Sequence, residues 1–151
     1  MRIAVSLSMV LGLAVYAPTL EAQAGSANTT PGTVSRVTLL RINPGHGDMF
    51  WQDVRQHSLP IWEEQKKRGI IVDYSVSTKS TTEEPNDWSV AFVVTYKNWG
   101  ALDTFGSRND SLTRGHYGSV DARSAAQTAR IAHAQIVSSY LMRDQTVNPW
   151  R

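Results

Sequence analysis

The chain has 151 residues, 15 Lys and Arg against 13 Asp and Glu, a net charge of +2, and no cysteine. The absence of cysteine excludes disulfides, thiol nucleophiles, thiolate metal sites and iron-sulfur clusters. A charge of +2 with no basic stripe argues against a nucleic-acid partner, although the isoelectric point is 9.1.

In chain order, "MRIAVSLSMVLGLAVYAPTLEAQA" has one early positive charge, an apolar run and a terminal Ala22-Gln23-Ala24. That is the pattern of a signal peptide over residues 1–24. The run is shorter than the roughly 20 apolar residues of a spanning helix. The expectation is therefore an exported protein, periplasmic or secreted, with no membrane attachment once the leader is removed. Residues 25–33, "GSANTTPGT", are small and polar and are expected to form a flexible lead-in. One domain is expected over residues 34–147.

"VSRVTLLRI" (34–42) is rich in β-branched residues and reads as strand one, ended by the turn "NPGHG". "DMFWQDVRQHSLPIWEEQKKRG" (48–69) reads as an amphipathic helix stopped by Gly69. At 100° per residue, Val54, His57 and Ile61 fall within about 40° of Phe50, and Trp51, Ser58 and Trp62 widen that arc. Pro60 leaves the Gln56 carbonyl without a donor, so the helix should bend there.

Residues 70–78 alternate, with Ile70, Val72, Tyr74 and Val76 on one face, as strand two. Residues 88–96 alternate again as strand three, with Trp88, Val90, Phe92, Val94 and Tyr96 on the bulky face. Asn98 is expected to cap a short helix ending near Gly106. A polar loop, "SRNDSLTRGHYG", then leads to Ser119, a second cap, and to an alanine-rich helix. Residues 136–145 read as strand four.

The order is βαββαβ, an α+β ferredoxin-like arrangement: a four-stranded antiparallel sheet with helices on one face. The other face would carry Val37, Leu39, Ala91, Val93, Val137 and Leu141 among serines and Arg41. Nothing in the chain is left to cover it, so a homodimer packed through the open sheet face is expected.

"INPGHGDMFWQDVRQHSLPIWEEQKKRGII" combines a first strand, a Pro-Gly turn, an aromatic pair, a His-x-x-Pro on helix one and a Gly before strand two. Over residues 34–145 the chain resembles the dimeric α/β-barrel superfamily. It is most similar to the EthD-like, antibiotic biosynthesis monooxygenase and NIPSNAP groups. The resemblance implies a cavity between sheet and helices faced by a histidine of helix one, a position matched here by His57. It also implies functions ranging from cofactor-free monooxygenases and isomerases to haem-dependent enzymes.

From the residues themselves, His57 is either a catalytic acid/base in an apolar pocket or a packed histidine with structural partners. Trp51, Trp62, Tyr74, Phe92 and Tyr96 either bind a flat hydrophobic or aromatic small molecule or fill the core. His46, His116 and His133 have no metal-ligand spacing, and no metal or other cofactor is expected. Three functions remain open: a small-molecule-binding protein or cofactor-independent enzyme, a non-catalytic exported structural or binding dimer, and a haem-binding protein.

Overall fold

The computed structural model describes residues 28–81 and 84–149. The expected leader, at 1–24, lies outside the described residues, as do positions 25–27 of the lead-in.

The elements are β1 (Thr29–Ile42), α1 (Gly47–Asp53), a π turn (Val54–Ser58), α2 (Leu59–Lys67), β2 (Asp73–Thr78), β3 (Val90–Tyr96), α3 (Gly100–Asp103), α4 (Phe105–Tyr117), α5 (Val120–His133) and β4 (Ala134–Val147). The sheet order is β2-β3-β1-β4 and every pairing is antiparallel. With the helical segments packed on one face, this is the ferredoxin-like fold expected from the sequence.

Alternation sorts the sheet residues. Val90, Phe92, Val94 and Tyr96 pair with Leu40, Thr38, Arg36 and Val34 and face the helices. Two apolar clusters form there. Leu40, Phe50, Val54, Val90 and Ala134 make one, and Ile70, Ile71, Tyr96 and Leu112 the other. Burying side chains of this size contributes about 1.5–3 kcal/mol each, and Phe50 and Tyr96 are each only 1% exposed.

Several local expectations are corrected. Thr29 to Thr33 are not a lead-in: they continue β1, where Thr29, Thr30 and Pro31 pair with Val147, Thr146 and Gln145 of a longer β4. Pro31 is tolerated because the ladder is irregular between it and Val34. Strand two begins at Asp73, not Ile70, because Ile70 belongs to the helix stop. Its N–H bonds the Gln65 carbonyl at 2.8 Å while that of Gly69, at φ +62°, bonds Lys66 at 3.0 Å. This is a Schellman closure that buries the Ile70 side chain.

The expected polar loop after Gly106 is instead most of α4, a 13-residue helix. The Ser119 cap is present, its hydroxyl accepting from the Ala122 N–H at 3.0 Å. A bulge between Leu39 and Leu40 changes the side on which β4 residues fall. Leu141 therefore pairs with Arg36 on the helix side, while Tyr140 and Met142 pair with Val37 and Ser35 on the open side.

Helix one holds its bend as a π turn. The Leu59 N–H bonds the Val54 carbonyl five residues back, and Pro60, which lacks an N–H, follows at once.

Candidate functional site

Between the helix-facing side of the sheet and α2, α4 and α5 lies a cavity of ≈ 360 Å³. Its floor is Leu40, Phe92, Val94 and Tyr96, and α2 contributes Ile61 and Trp62. Trp62 meets Phe92 edge to face at 5.1 Å, and Phe105 meets Tyr96 the same way at 5.4 Å.

α4 supplies one wall through Phe105, Asn109, Thr113 and Tyr117, each four residues after the last and so on one helix face. Gln65 is 4% exposed, and its Nε2 donates to Asn109 Oδ1 at 2.6 Å. Thr113 Oγ1 donates back to the Asn109 and Asp110 carbonyls at 3.0 and 3.1 Å. These contacts pin α4 to α2 and leave the polar groups of the wall largely satisfied.

Three arginines complete the lining: Arg36, Arg123 and Arg130. Arg130 reaches from α5 to Asp53 of α1, with Nε donating to Oδ2 at 2.6 Å and Nη2 to Oδ1 at 3.4 Å. Its Nη2 also lies 3.5 Å from the Tyr117 hydroxyl. Arg123 Nη1 donates to Asp110 Oδ1 at 3.2 Å. Arg36 lies 5.9 Å from the ring centres of both Tyr96 and Phe105. Burial pushes the Tyr96 phenol upward and the Arg36 charge pulls against it.

Of the residues singled out by sequence, Trp62, Phe92 and Tyr96 line the cavity together. Trp51 does not: it packs edge-on against Phe50 at 5.0 Å, beside the first apolar cluster. Tyr74 does not line it either: its ring lies 5.2 Å from that of Trp62, tilted by 35°, and its hydroxyl donates to the Glu63 carboxylate. That bond first, then burial, pushes the Tyr74 pKa up to about 12.

His57 is next to the cavity without lining it. The π turn inserts one extra residue after Val54, so Ser58 rather than His57 comes round to the cavity. The His57 ring stacks on Tyr117 at 5.1 Å, and its Nδ1 lies 3.0 Å from His116 Nε2. Burial first, and then the facing His57, push the His116 imidazole below its usual value. His46 and His133 form a second pair, Nδ1 to Nδ1 at 3.1 Å. None of these four histidines lines the cavity, and among the described residues no three His, Asp or Glu cluster as a metal site.

The sequence reading missed the arginines and the α4 wall. Two signals were available: Arg36 sits at a helix-facing position of the β1 alternation, and the α4 residues repeat every fourth position.

A comparison with known protein families finds no match, and one with curated proteins finds none either. Among solved structures, HapK from Hahella chejuensis is similar over 78% of this chain and 97% of its own, at 12% identity and a TM-score of 0.49. A dimeric ferredoxin-like protein from an uncultured marine organism is similar over 80% of this chain and 100% of its own, at 16% identity and a TM-score of 0.47. A dimeric protein of unknown function from Bacteroides fragilis, with a ferredoxin-like fold, matches over 76% and 96%, at 11% identity and a TM-score of 0.43.

Proposed function

We propose that this is an exported protein that holds a small hydrophobic or aromatic molecule in the cavity, and that it works as a homodimer packed through the open sheet face. The observation that carries the binding reading is the cavity itself. At ≈ 360 Å³ it falls in the range of small-molecule sites, about 300–1,000 Å³, and its walls combine aromatic faces with a few placed polar groups. Export is supported by the leader pattern of residues 1–24, and a cavity-based role by the resemblance of helix one to the EthD-like, antibiotic biosynthesis monooxygenase and NIPSNAP groups.

The dimer is supported by what the open face presents. Leu39 and Val93 lie half-buried on it beside Val37 and Ala91, which the chain itself already buries, and next to them Tyr140 and Met142 are 46% and 45% exposed.

Catalysis by His57 has one specific support. His57 stands one ring away from the cavity, stacked on Tyr117, which lines it; the stack itself carries no proton. Binding is the stronger reading because no histidine or carboxylate among the described residues lines the cavity.

Calorimetric titration with a panel of bicyclic aromatics tests the proposal. At least one should bind with one molecule per chain, and Val94→Phe, which fills the cavity floor, should abolish it. No binding by any member, or binding indifferent to Val94→Phe, would refute the reading.

A further inference from the structure

The charges of the cavity are all of one sign: three arginines and, among the described residues, no carboxylate. Two of the three are compensated from outside, Arg130 by Asp53 and Arg123 by Asp110. Arg36 is not. It projects from the middle of the sheet against the Tyr96 and Phe105 rings, and among the described residues no carboxylate or other acceptor pairs with it.

The strand register adds a second guanidinium. Leu141 pairs with Arg36 and Arg143 pairs with Val34, so Arg143 is the diagonal neighbour of Arg36 on the same sheet face. Diagonal side chains of this kind start about 7–8 Å apart, within reach of each other for long residues. The Nε of Arg143 is buried without a hydrogen-bond partner. Arg36 is solvent-exposed and Arg143 partly so, so the Arg36 guanidinium is open to an entering anion, which would find the like charge of Arg143 beside it.

We propose that the ligand is a carboxylate-bearing aromatic molecule. Its rings lie along Trp62, Phe92 and Tyr96, and its carboxylate is taken by the free guanidinium fork of Arg36, with Arg143 adding to the local positive field. Guanidinium and carboxylate match as planar, bidentate partners. A cationic ligand would meet only like charge. This inference rests on the binding reading above and names the chemical class that the same cavity selects.

The test is calorimetric titration of the protein with 2-naphthoate and with 2-naphthamide, which keeps the rings and removes the charge. The acid should bind about 10- to 100-fold more tightly than the amide, the difference expected of a charge-assisted hydrogen bond. Arg36→Gln should bring the ratio of acid to amide affinity close to 1, and Arg36→Lys should restore part of it. Added salt should weaken the acid alone. Equal affinity for acid and amide in the unsubstituted protein overturns the inference without any variant having to fold, and leaves the binding reading standing. An Arg36→Gln protein that still prefers the acid overturns the role of Arg36. Binding of neither compound overturns this inference, whereas the binding reading falls only if no member of the wider panel binds.

Discussion

Asp53→Asn should loosen the cavity by breaking the ion pair that ties α1 to α5. The Asp53 carboxylate takes two guanidinium N–H groups of Arg130, at 2.6 and 3.4 Å, and the two side chains are 11% and 32% exposed. Breaking a fully buried pair costs about 3–5 kcal/mol, and losing a fully exposed one costs about 0–1 kcal/mol. With one partner buried and the other a third exposed, the cost should be about 2 kcal/mol. α5 itself has no fully buried residue, so little else compensates. For a domain of this size the loss corresponds to a fall in Tm of about 6–10 °C, readable by circular dichroism. Arg130→Gln should also destabilise, since it strands the Asp53 charge, and the double variant should lose less than the sum of the singles, with a coupling of about 1 kcal/mol or more. If Asp53→Asn melts within about 2 °C of the unsubstituted protein, or if the two changes simply add, the pair is not what holds α5 in place.

Two further outcomes are expected. His116 has a folded pKa below its ordinary value of 6.5, so the unfolded state takes up the proton first. Its contribution is full above about pH 6.5 and is lost as the pH falls through that value toward the folded pKa. Tm should therefore decline from pH 7.5 to 5.5, and His116→Gln should flatten that decline; an unchanged slope in the variant would show that the His57–His116 pair is not responsible. On the open sheet face, Val93→Lys places a charge where the second copy should pack. The change should weaken the dimer about 30-fold or more, a cost of ≥ 2 kcal/mol at an interface centre. Sedimentation equilibrium measures it, and a monomeric unsubstituted protein, or a variant that dimerises unchanged, would dismiss this interface.

What was legible in the sequence was whatever one local rule decides. The alternation from Val90 to Tyr96, the Gly69 stop and the Ser119 cap each depend on a few neighbouring residues, and each is found. The helix α4 was illegible to a count of apolar residues because its cavity-facing row is half polar: Asn109 and Thr113 stand between Phe105 and Tyr117. Its glycines, Gly106 and Gly115, and its run of small polar residues resemble a loop until the four-residue repeat is noticed. The side of the sheet taken by Leu141 could not be read either. A bulge near Leu39 changes the phase of everything beyond it in β4, and no residue type announces where a strand will bulge.

The same loss of phase explains the site. Pro60 requires the chain to dispense with one helical N–H, and the turn that accommodates it is one residue wider than an α turn. A uniform 100° step puts His57 and Ser58 on either side of the inward direction. Widening the turn moves Ser58 toward the cavity and His57 away from it, against Tyr117 and His116. The residue that draws attention in the sequence is thereby removed from the lining of the cavity. Among the described residues, the lining cation without a protein counter-charge is Arg36, on a strand whose alternation no proline or bulge disturbs between Val34 and Leu39. Arg36 is solvent-exposed, so its charge is stable without a partner, and the same exposure leaves the guanidinium open to an anion entering the cavity.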